Sequence, residues 1–155
     1  MFLSAIDVTR TYTSAEFRIG SLAAITTSSG TKIYKFFLFN NGAGDVAAAV
    51  GNVAYIYAPS GTSSGVTTCT SDLSDSAEIG AGVFASVPAD GEYCWLQVTG
   101  LATLTTALTA GADGDPLTPT GATDGTLDVT TASTDHICAI AVDASAKIVL
   151  CKFPL

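Results

Sequence analysis

The chain has 155 residues, 48% of them hydrophobic and only 13% charged, with six basic residues against fourteen acidic ones and a net charge of −8. That length fits a single domain able to bury a core without staples, and the acidic balance argues against nucleic acid as a partner. A soluble domain usually carries about 25% charged residues, so Thr, Ser, Gly and Ala fill much of this surface, which suits a protein packed against other subunits.

At the N-terminus, Met1 to Ile6 is apolar but has no basic residue before it and breaks at Asp7, so no secretory leader is expected. No uninterrupted apolar run reaches about 18 residues, and no membrane-spanning helix is expected. Positions 32–39 hold the strongest strand signal: Ile33, Tyr34, Phe36, Phe37, Leu38 and Phe39 lie between the turn formers Ser28-Ser29-Gly30 and Asn40-Asn41-Gly42. Aromatics on both parities predict two covered faces, one against the core and one against a neighbour. Positions 52–57 predict a second strand with Val53, Tyr55 and Tyr57 on one side. A loop follows at 59–65, then a short strand at 66–70. Positions 71–79, acidic and free of Gly and Pro, predict the one helical turn. Strand character returns at 80–87, and Pro88-Ala89-Asp90-Gly91 reads as a turn.

Gly91 to Gly100 is the most informative stretch, because it frames the single tryptophan. It reads as a strand between two turns, with Tyr93, Trp95 and Gln97 facing one way and Cys94, Leu96 and Val98 the other. Beyond it, 101–109 predicts a strand, Pro116 to Gly125 a loop around Leu117, and 127–131 another alternating segment. Positions 136–142 predict a strand with Cys138, Ile140 and Val142 on one side, and a last strand runs through Phe153. Short strands about ten residues apart, with no sustained helical period, indicate an all-β domain. The expected fold is a compact β-sandwich or barrel with long Gly/Thr/Ser-rich loops and little helix.

The search for chemistry finds no constellation. Cys69, Cys94, Cys138 and Cys151 show neither a zinc spacing nor a secreted disulfide framework, so free thiols are expected, buried at Cys94, Cys138 and Cys151, which sit in apolar strand patterns. His136, the single histidine, stands beside Asp135 without a GxSxG or a framed nucleophile. Asp113 with Asp115, Asp124 with Asp128 and Asp72 with Asp75 read as turn formers, and Asp113-Gly114-Asp115 lacks the later ligands of a calcium loop. No phosphate-cradling glycine motif is present. No enzymatic activity, metal or cofactor is expected.

"FRIGSLA" (17–23), "GTKIYKFFLF" (30–39), "GDVAAAVGNVAYI" (44–56), "GVFASVPADGEYCWLQVTGLATL" (82–104), "AGADGDPL" (110–117) and the closing "HICAIAVDASAKIVLCKFPL" come in a telling order. In that order the chain resembles the head decoration (cement) proteins of tailed bacteriophages. The resemblance implies a structural virion protein, made in the host bacterial cytoplasm, that sits on the capsid exterior. There it would stabilise contacts between major capsid proteins, typically as a homotrimer, with no nucleic-acid or membrane partner. Residues 1–155 would form one β domain, with 1–30 a candidate arm reaching the capsid or a neighbouring subunit. Tyr34, Phe36, Tyr55, Tyr93 and Trp95 are the candidate subunit-interface residues. All six basic residues lie near the termini, and Arg10, Arg18, Lys32 and Lys35 are the candidate capsid contacts. The alternative is a carbohydrate- or receptor-binding module of a tail spike or fibre, with Trp95 and the Asp-rich loops as its site.

Overall fold

The computed structural model describes residues 2–3, 5–58 and 68–155. The expected loop at 59–65, and the first two positions of the strand expected at 66–70, lie outside them. Among the described residues eleven strands form one sheet: β1 (Phe2–Leu3), β2 (Leu22–Thr27), β3 (Gly30–Phe39), β4 (Val53–Tyr57), β5 (Thr68–Thr70), β6 (Ser76–Phe84), β7 (Tyr93–Thr103), β8 (Pro116–Thr118), β9 (Asp128–Val129), β10 (Ala139–Asp143) and β11 (Ile148–Lys152). The fold is all-β. Strands β3, β5, β4, β6 and β7 close into a barrel, because β3 also pairs with β7.

Two strands are long enough to serve twice. The N-terminal half of β3 carries the β2 hairpin, and β1 pairs with β2. The C-terminal half of β7 leaves the barrel and pairs with β11, from Thr99 opposite Lys152 to Thr103 opposite Ile148. A flanking sheet, β7–β11–β10–β8–β9, grows from there.

Side-chain parity sorts the apolar residues into three cores. Phe37 and Phe39 of β3, Ala54 and Ile56 of β4, Cys69, and Cys94 and Leu96 of β7 fill the barrel interior. Val53, Tyr55 and Val83 on the outer face of β4 and β6 meet the inner face of the flanking sheet, including Leu117, Ala139, Ala141, Val149 and Cys151. The third core lies on the outer face of β3 and β7, where Phe36 and Trp95 meet Val8, Tyr12 and Phe17. Part of the N-terminal segment packs on this face, where Tyr12 exchanges both backbone hydrogen bonds with Tyr93, at 3.0 and 2.8 Å.

Several local expectations shift for identifiable reasons. The helical turn expected at 71–79 shrinks to one 3-10 turn, Leu73–Asp75, capped by the Asp72 side chain accepting from Ser74 N. Strand β6 starts directly after it, because Ser76 finds a partner in Tyr57. Gly100 does not end its strand. It lies inside β7 at φ +95°, where a Cβ would come within 2.9 Å of the Thr31 carbonyl, so the glycine permits close crossing of the β2–β3 hairpin. The strand expected at 101–109 accordingly gives only its first three residues, as the end of β7. Leu117, expected in a loop, is the buried centre of β8, and the segment expected at 127–131 contracts to β9. In β10 the inward residues are Ala139 and Ala141, while Ile140 is part-exposed and Val142 exposed. Cys138, just before β10, is also buried.

Candidate functional surfaces

The aromatic residues singled out for a subunit interface lie inside the protomer. Phe36, Tyr55 and Trp95 have 0% exposure and Tyr34 has 8%; only Tyr93 is half-buried. Trp95 packs against Phe36 and Phe17 at ring-centroid distances of 5.0 and 5.3 Å, and Tyr93 stacks on Phe36 at 5.7 Å. The strand pattern correctly demands cover on both faces of β3 and β7, but the cover comes from this chain's own residues 6–17. With no exposed face, Trp95 is not a stacking platform for a sugar. Its Nε1 is buried without a hydrogen-bond partner among the described residues.

The four basic candidates differ in their access to solvent. Arg10 is exposed, sits over the Tyr12 ring at 5.0 Å and lies 3.7 Å from Glu16. Arg18 is exposed and Lys32 half-buried. Lys35 is only 5% exposed and shares its side of β3 with Phe37, whose ring centroid is 5.4 Å from the ammonium. Burial pulls the Lys35 pKa down. Its strand parity takes it off the surface.

The acidic loops are tied to backbone amides. Asp72 accepts from Ser74 Oγ at 2.6 Å, from Gly44 N at 2.9 Å and from Ser74 N at 3.0 Å. These bonds, the Ser74 hydroxyl foremost, hold its carboxyl below the usual range. Asp113 accepts from Ala144 N and Asp115 from Ala112 N, both at 2.8 Å. Asp135 accepts from Thr131 N and Ala132 N, at 3.0 and 2.9 Å. His136 Nδ1 is buried with no partner among the described residues. Carboxylates employed in this way close turns. Among the described residues no group of three or more His, Cys, Asp or Glu side chains is placed to hold a metal ion. An open groove of about 520 Å³ lies beside this network, lined by Leu73, Ser74, Glu78, Thr123 and Asp124 and by no aromatic side chain.

All four thiols are free and buried. Burial pushes the Cys69 and Cys138 thiols far up and Cys151 up to about 12. A protonated, enclosed thiol is a packing group and not a nucleophile.

Sequence reasoning passed over the outward face of the flanking sheet. Pro116, Ile140, Leu150 and Leu101 stand opposite one another across β8, β10, β11 and β7. Leu101 and Leu150 are 37% and 36% exposed, and Val142, on β10 as well, is 46% exposed. A signal existed: Ile148-Val149-Leu150-Cys151 is apolar on both parities, the pattern that exposed the second covered face of β3. No protein-family model, curated protein or solved structure matches the chain.

Proposed function

We propose that the chain is a structural virion protein that decorates and cements the outer surface of a tailed-phage capsid, bridging neighbouring major capsid proteins as a homotrimer. The observation that carries this reading is the outward apolar row Pro116–Ile140–Leu150–Leu101. Three inter-strand steps of about 4.8 Å make it about 14 Å long, and one outward side chain per strand, about 7 Å along each, gives it an area of roughly 100 Å², well short of the roughly 800 Å² per partner of a stable pairwise interface. A contact of that size is useful when repeated over a lattice, where many weak attachments act together. The order of sequence motifs and the scarcity of charged side chains support the same role. The tail-spike alternative loses its stacking residue, since Trp95 has 0% exposure.

The test is co-sedimentation with undecorated heads of the phage whose genome carries the chain, with light scattering of the free protein for its oligomeric state. The wild type should pellet with the heads to saturation. The variant Leu101→Lys with Leu150→Glu, which sets opposite charges across the β7–β11 pair, should stay folded and bind at least about tenfold weaker, since each apolar contact contributes about 1–2 kcal/mol. Failure of the wild type to pellet at any concentration refutes the proposal.

A further inference from the structure

A second groove, of about 270 Å³, is lined by Lys32 and Tyr34 of β3, Gln97 and Thr103 of β7, and the apolar Val83 and Ala85. Lys32 is held there by packing. Its stem lies over Gly100, where a Cβ would come within 3.3 Å of Lys32 Cγ. Tyr34 and Gln97 are 8% and 6% exposed, so the polar walls are set in the body of the fold. The Gln97 amide is fixed, donating to the carbonyls of Leu101 at 2.9 Å and Thr99 at 3.3 Å.

The charge balance at this groove is unusual for this chain. Acidic residues outnumber basic ones fourteen to six, yet none lines the groove. Among the described residues the one ion pair is Arg10–Glu16, so Lys32 has no carboxylate partner there. The volume equals that of about nine waters at ~30 Å³ each, enough for a group of glutamate size.

We infer that this groove binds a carboxylate on a short apolar stem, with Lys32 as counter-ion, Tyr34 as hydroxyl donor, and Val83 and Ala85 against the stem. Two sources share that chemistry: a small free acid and a glutamate side chain of a partner protein. The inference stands apart from the capsid reading and is tested on the isolated chain.

The experiment is an amide-resolved NMR titration of the full chain with butyrate and with the peptide acetyl-Ala-Glu-Ala-amide. Butyramide and the Gln peptide serve as uncharged isosteres. The acids should shift the amides of Ala85, Gln97 and Thr103 along saturating curves, with a Kd on the order of 1 mM, and the isosteres should not. Lys32→Met, which keeps the stem, should weaken binding at least tenfold, while Lys152→Met should leave it unchanged. Tighter binding of butyrate assigns the groove to a small acid, and tighter binding of the Glu peptide to a partner's side chain. Equal shifts from acid and isostere overturn the inference, and that comparison needs only the wild type. So does unchanged affinity in a folded Lys32→Met variant, or the absence of shifts at about 50 mM acid.

Discussion

Replacing Tyr55 by Phe tests how the loop before β9 is fastened to the barrel. The Tyr55 ring is fully buried in the core between barrel and flanking sheet. Its hydroxyl lies 2.7 Å from the Thr126 carbonyl and 3.0 Å from that of Thr123, and it accepts from Thr126 N at 3.0 Å. One phenolic proton serves the shorter of the two carbonyl contacts. Removing the oxygen deletes that bond and the one from Thr126 N, a donor that keeps a longer contact of 3.3 Å to the Thr123 carbonyl. Two net hydrogen bonds at about 0.5–1.5 kcal/mol each put the loss at about 1–3 kcal/mol. At roughly 2–4 °C per kcal/mol for a chain of this size, Tm should fall by roughly 2–12 °C. Urea unfolding followed by Trp95 fluorescence gives the value directly, and the m-value should not change. A Tyr55→Phe protein within about 0.5 kcal/mol of wild type would refute the reasoning, because the loop would then hold without this hydroxyl.

Two further outcomes follow from the cores. Trp95→Ala removes the ring against which Phe17 and Phe36 pack. It should cost about 3–5 kcal/mol by urea unfolding followed by circular dichroism, and an unchanged midpoint would show that the N-terminal segment does not depend on that ring. Alkaline pH should destabilise the fold before any covalent change. Unfolded thiols ionise near pH ~8.5, whereas burial raises Cys69, Cys138 and Cys151 above that range. The folded state therefore keeps protons that the unfolded state releases, so stability is intact below the unfolded pKa and falls as pH rises past it. Each thiol contributes up to about 1.4 kcal/mol per pH unit. The urea midpoint should decline steadily between about pH 9 and pH 11, and a flat profile would mean that the thiols reach solvent.

Much of the strand content was legible because it is local. Val53, Tyr55 and Tyr57 alternate in β4, and β3 announces itself by aromatics on both parities. The turns at Asn40-Asn41-Gly42 and Pro88 to Gly91 rest on residue chemistry that acts within four positions. Cys94, Cys138 and Cys151 read correctly as buried and free, since each sits in an apolar strand pattern, whereas Cys69 stands between Thr68 and Thr70 and only the closed barrel shows it buried. The candidate surfaces fared differently. Tyr34, Phe36, Tyr55 and Trp95 are interface candidates as aromatics in strands, but this chain has three cores and they occupy two of them. Lys35 is a capsid-contact candidate by its charge, and its parity places it beside Phe37.

The sequence by itself determined that the chain is all-β, which segments are extended and which faces are apolar, because a two-residue period and turn chemistry are properties of neighbours along the chain. Tertiary structure decided what covers each face. Closure of the barrel rests on β3 pairing with β7 some sixty residues away, and the flanking sheet on β7 running through Gly100 to meet β11. No local period encodes a partner at that distance. The outward row on the flanking sheet and the groove at Lys32 both arise where such distant strands come together.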